Sequence, residues 1–67
     1  MPEFTLNHHP QPWRAGLTVA ALLAEQGRAP NDVATALNGR FVPRALRDST
    51  LIEPGDALTL IQPITGG

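Results

Sequence analysis

The sequence has no cysteine and no lysine, and each absence removes a class of chemistry. Without cysteine there is no disulfide, no thiolate nucleophile and no zinc-finger ligand set. Without lysine no side chain forms a Schiff base with a carbonyl substrate, and none serves as an acceptor in polymeric tagging. All five basic residues are arginines (Arg14, Arg28, Arg40, Arg44 and Arg47), set against six acidic residues for a formal net charge of -1. That balance gives no electrostatic reason to expect nucleic acid or an anionic membrane as a partner. No apolar run approaches a membrane span, and Met1-Pro2-Glu3-Phe4 lacks the basic start and apolar stretch of a signal peptide, so the cytoplasm is the expected compartment. At 67 residues there is room for one domain, 1–67. A domain this small buries only about 60% of the surface its unfolded chain exposes. A large catalytic cleft is therefore not expected, and the chain is read as a non-enzyme.

What is present is a regular alternation of short elements. Glu3-Phe4-Thr5-Leu6 alternates polar and apolar, which predicts a first strand with Phe4 and Leu6 inward. His8-His9-Pro10 reads as the following turn, and Gln11 to Ala15 as a returning strand that Pro10 and Pro12 confine to a sheet edge. Gly16 closes this hairpin. Thr18 is placed to cap a short helix whose Val19, Leu22, Leu23 and Gln26 recur at helical spacing, and Gly27 supplies its stop. Val33 to Leu37 and Arg40 to Pro43 are predicted as strands joined by Asn38-Gly39, the strongest short hairpin signal because both turn positions tolerate positive φ. Arg44 to Thr50 is polar and irregular, with room for one helical turn. Glu53-Pro54-Gly55-Asp56 has turn composition. In Ala57-Leu58-Thr59-Leu60-Ile61-Gln62 the period of two puts Leu58 and Leu60 on one face and Ala57, Thr59 and Ile61 on the other. There is no internal repeat and no low-complexity linker. These elements predict an α+β domain in which one helix crosses a mixed sheet of about five strands.

The sequence given ends at Gly66-Gly67, directly after an apolar run. Two residues without Cβ let an extended chain end pass through a narrow channel and present its terminal carboxylate to another protein's active site. The segment 63–67 is expected as an extended tail that spans at most about 17 Å. Pro63 restricts it before threading and the glycines keep its tip slender.

The element order with such a tail is the ubiquitin-like β-grasp pattern. Five segments carry a closer likeness: Ala15-Gly16-Leu17-Thr18-Val19 with Leu22-Leu23, Ala36-Leu37-Asn38-Gly39, Val42-Pro43-Arg44, Pro54-Gly55-Asp56, and Gln62-Pro63-Ile64-Thr65-Gly66-Gly67. Together they resemble the ThiS-type sulfur carriers of bacterial thiamine biosynthesis, over nearly the whole chain. Thr65, where alanine is common, and Pro63 depart from the pattern, and neither removes the carboxylate.

The resemblance implies a role. The Gly67 carboxylate would be adenylated by an E1-like adenylyltransferase that uses ATP and magnesium on its own chain, with no cofactor bound by this one. A sulfur donor such as a cysteine desulfurase carrying a persulfide would convert it to a thiocarboxylate, and thiazole synthase would receive the sulfur. Gly66, Thr65, Ile64 and Pro63 would thread into the partners. Two other readings stand beside this one: the small subunit of molybdopterin synthase, a sulfur carrier of the same fold, and a ubiquitin-like binding module without terminal chemistry.

Ile61, Thr59 and Arg44 are the candidate partner-binding residues. Ile61 has two readings, docking surface or core residue covered by loops. Arg44 and Arg47 together could meet an acidic groove, against the commoner reading of a solvated face. Trp13 is read as a core-edge residue rather than an interface anchor. His8-His9 is not read as a metal site, because neighbours in an extended chain point to opposite faces and no cysteine completes a soft set.

Overall fold

The structure is a computed structural model in which residues 2–27 and 32–62 are described. It contains strands β1 (Glu3–Leu6), β2 (His9–Pro12), β3 (Ala34–Leu37), β4 (Arg40–Val42) and β5 (Ala57–Ile61) and the helix α1 (Val19–Glu25), with a short 3₁₀ turn at Arg44–Leu46. The five strands form one sheet in the order β2-β1-β5-β3-β4. The last strand therefore lies in the middle, parallel to β1 and antiparallel to β3. This is the mixed β-grasp sheet expected.

Alternation along β1 and β5 decides which face is covered. Phe4, Leu6 and Leu58 are buried and join Leu17, Val19, Leu22 and Ile52 in one core, with Trp13, Ala21, Leu37 and Leu60 packed against it. Helix α1 contributes Val19, Leu22 and Leu23 as its buried residues. Gln26, which shares their spacing, is exposed and caps the helix end. Thr18 caps the other end, its Oγ1 accepting from the Ala21 amide at 3.1 Å. The two preceding helix amides, Val19 and Ala20, donate to the carbonyls of Thr50 and Arg47. Groups that a short helix leaves without internal acceptors are thus met by the 47–52 segment.

The first hairpin corrects the expected turn. Asn7 and His8, not His8-His9-Pro10, occupy it, with φ of 49° and 72°, and β2 begins at His9. Two-residue hairpins favour this left-handed pair because its twist matches the strands. The prolines fit the earlier register. Leu6 faces His9 across the closing pair, so Thr5↔Pro10 and Glu3↔Pro12 fall at the alternate positions where β2's backbone nitrogens point off the sheet edge and no ladder bond is lost.

The second hairpin is as predicted, with Asn38 and Gly39 at φ 52° and 81°, although β3 starts at Ala34 rather than Val33 and β4 ends at Val42. Gly55, at φ 86°, turns the chain into β5. There the Asp56 carboxylate accepts from the Glu53 amide at 2.8 Å and from Asn38 Nδ2 at 2.9 Å, which ties this turn to the β3–β4 hairpin.

Candidate functional site

The strand that precedes the Gly-Gly segment, β5, is the central strand of the sheet, held between β1 and β3. Its outward residues are Ala57, Thr59 and Ile61, all exposed. Ile61 is 50% exposed, so it belongs to the surface and not to the core. Pro63, Ile64, Thr65, Gly66 and Gly67 lie outside the described residues.

Strand pairing builds a surface around Ile61. Thr59 is opposite Ala36, and Ala36 is opposite Phe41 on β4. Ile61 is opposite Ala34 in the next row. The face uncovered by α1 therefore holds two alanines flanked by Ile61 and Thr59 on one side and by Phe41 on the other. Phe41 is 67% exposed, the highest among the exposed large hydrophobic residues. Two small side chains between larger apolar ones make a shallow trough, and an exposed aromatic at its rim is the kind of group that anchors protein contacts.

Thr59 and Ile61 are thus brought together, whereas Arg44 lies outside the sheet ladder, exposed at the start of the 3₁₀ turn. Arg47 is no part of a solvated face. It is 5% exposed, and its guanidinium donates to the Val33 carbonyl at 2.8 Å and to Thr35 Oγ1 at 3.2 Å. Trp13 is at the core edge as expected, with Nε1 donating to the Ile52 carbonyl at 2.6 Å. His8 and His9 are exposed, and no group of three or more metal-ligating side chains occurs among the described residues.

Phe41 was within reach of sequence reasoning. A two-residue Asn38-Gly39 turn fixes Leu37 opposite Arg40, and parity then sets Phe41 beside Ala36 on the face shared with Thr59. Arg47 carries no such signal, since an arginine in a polar irregular stretch is ordinarily solvated.

The ionisable side chains that depart from their usual behaviour are away from this face. Arg14 hydrogen-bonds and ion-pairs with Glu25 at the end of α1, which raises the guanidinium pKa and lowers that of the carboxyl. The pair is exposed and contributes little to stability. No helix among the described residues is long and apolar enough to cross a membrane.

Comparison with known proteins covers the whole arrangement. The model of the ThiS family matches residues 4–67. A crystal structure of thiamine biosynthesis protein ThiS from Geobacter metallireducens is 29% identical, with 97% of this chain and 99% of that chain covered and a TM-score of 0.81. An NMR solution structure of a thiamine biosynthesis protein from Geobacter metallireducens is also 29% identical, with 97% and 87% covered and a TM-score of 0.75. No protein among those curated for function matches the chain.

Proposed function

The chain belongs to the ThiS family of small sulfur carriers, and we propose that its reactive group is the carboxylate of Gly67, taken as the terminal residue, which carries sulfur for the thiazole of thiamine. The observation that supports this reading most is the family match running to Gly67, joined to a central strand whose far end points the chain into that segment.

The chemistry divides between carrier and partners. A carboxylate is a poor electrophile, so an E1-like adenylyltransferase, with ATP and magnesium on its own chain, joins the Gly67 oxygen to the α-phosphorus and releases pyrophosphate. The terminal sulfur of a persulfide, supplied by a cysteine desulfurase or similar donor, then attacks the carbonyl carbon, and AMP leaves with the C–O bonding electrons. A thiol splits the remaining S–S bond and leaves a thiocarboxylate on Gly67. Thiazole synthase receives the sulfur. Base, oxyanion stabilisation and metal belong to the partners, while this chain supplies a slender end and a surface to dock. All of this takes place in the cytoplasm.

The docking surface is the trough of Ala34, Ala36, Thr59, Ile61 and Phe41, and Arg44 and Ile64 supply further contacts to the partner. Pro63, Thr65 and Gly66 thread behind Gly67. The test is the intact mass of the chain after incubation with its activating enzyme, ATP and a persulfide donor. A gain equal to one oxygen replaced by sulfur supports carriage; no gain with any cognate activating enzyme overturns it.

A further inference from the structure

The two hairpin turns reach β5 through the same residue type in the same conformation. Asn38, in the left-handed region, accepts the Ala57 amide on its Oδ1 at 2.9 Å. Asn7, also left-handed, accepts the Leu60 amide on its Oδ1 at 2.8 Å. One asparagine thus holds the start of the last strand and the other holds its end.

The Asn7 contact completes a ladder that the backbone cannot. Beside β1 the parallel rungs run from the Thr5 amide to the Asp56 carbonyl and from the Asn7 amide to the Leu58 carbonyl, both 2.9 Å. The next rung of a parallel pair would send the Leu60 amide to the backbone carbonyl of residue 7. The chain turns into the hairpin there, and the side-chain carbonyl of Asn7 stands in for it. Amides alternate sides along a strand, so the Leu60 N–H faces β1 and finds its acceptor in Asn7. Asparagine suits the position doubly, since it tolerates positive φ and carries a carbonyl on a one-carbon arm.

We propose that Asn7 is a positioning residue for the reaction at Gly67, an inference that rests on the sulfur-carrier reading above. It acts through Leu60. With that rung in place β5 is fixed on both sides almost to its end, and the chain beyond leaves from a defined point. Without it β5 beyond Leu58 is held on the β3 side alone, through Thr35↔Leu60 and Ala34↔Ile61, so its last residues fray more readily, and each residue that frays adds about 3.3–3.6 Å of chain that must be ordered when the end enters a partner. Ordering one such frayed residue opposes the loading step by an amount that corresponds to roughly a 10-fold slower rate.

The experiment compares Asn7→Gly, which keeps the turn and loses the acceptor, with Asn7→Asp, which keeps both. Amide hydrogen exchange at Leu60 and Leu58 is read alongside sulfur loading by an E1-like activating enzyme with ATP and cysteine persulfide. In Asn7→Gly the Leu60 amide should exchange faster while Leu58 stays protected. The saturating loading rate should fall roughly 10-fold with the half-saturating concentration unchanged, because the docking face is intact. Asn7→Asp should restore both. Equal Leu60 protection in Asn7→Gly, or faster exchange with an unchanged loading rate, overturns the inference. Failure of the unaltered chain to accept sulfur defeats the functional reading instead, and the Leu60 amide then still decides whether Asn7 anchors the strand.

Discussion

Arg47 donates through Nε to the hydroxyl oxygen of Thr35, a side chain with no solvent exposure. The Thr35 hydroxyl in turn donates to the Val42 carbonyl at 2.8 Å. A charged side chain that follows the 3₁₀ turn thereby braces β3 and β4 from inside the fold. Replacing Arg47 with Met leaves the buried Val33 carbonyl without this donor, and we expect a loss of roughly 2–3 kcal/mol. Thr35→Val should cost about 1–2 kcal/mol, and the double variant less than the sum, because the two share one network. Urea denaturation of the four chains checks this; additive losses would show the groups to be independent.

Trp13, just after the other edge strand β2, makes a prediction of similar kind. Its Nε1 donates to the Ile52 carbonyl while the ring packs against the core. Trp13→Phe keeps most of the apolar contact and removes the donor, so the expected loss is about 1 kcal/mol. Trp13→Ala, which also opens a void, should lose about 3–5 kcal/mol if the ring behaves as a core residue. Thermal unfolding of both variants separates the hydrogen bond from the packing.

His8 sits at φ 72° in the first hairpin turn, a region that is costly for residues with a Cβ. His8→Gly removes that cost and should stabilise the domain by roughly 0.5–1 kcal/mol after the added freedom of the unfolded chain is counted. A rise in melting temperature of a few degrees is expected at this size. A fall would mean that the His8 side chain makes a compensating contact.

These residues also show what the sequence could disclose. The β5 alternation, the Thr18 cap and the Asn38-Gly39 turn are local signals, and each is present as read. The first turn is displaced because Pro10, a turn former by composition, belongs to β2, where an edge strand accepts it, as it accepts Pro12, without losing a bond. Arg47 was illegible for a different reason: its acceptors, on Val33 just before β3 and on Thr35 within it, lie more than ten residues away, and no local pattern reports a tertiary partner. The Asn7–Leu60 contact joins residues 53 positions apart and was hidden in the same way. The face carrying Ile61 was readable by parity, and whether Ile61 lay open depended on what covered that face.

Glu25 gives the pH dependence. Its carboxyl is held below the ordinary range by the hydrogen bond from Arg14 and by the Arg14 charge. A carboxyl depressed in the folded state contributes stability that is present above its unfolded pKa and is lost as pH falls through the folded value. Both groups are exposed, so the contribution is small. NMR titration should place Glu25 below an unpaired glutamate, and Arg14→Gln should return it to the ordinary range. No change in Arg14→Gln would contradict the pairing.

The outer face yields a binding prediction. Ile61→Arg and Phe41→Ala should weaken association with the activating enzyme on the order of 10- to 100-fold, through a charge placed in an apolar contact and the loss of an aromatic anchor. Melting temperatures should stay close to that of the unaltered chain, because both side chains are at least half exposed. Unfolding in place of weakened binding would return Ile61 to the core.

The central claim is that sulfur is carried on the Gly67 carboxylate, and intact mass spectrometry of two chains tests it most directly. One ends at Gly67 and the other bears a single added residue, and each is incubated with the activating enzyme, ATP and a persulfide donor. The account predicts that the first gains the mass of one oxygen exchanged for sulfur and the second gains nothing, with both equally folded. Sulfur on the extended chain, or none on either, would contradict it.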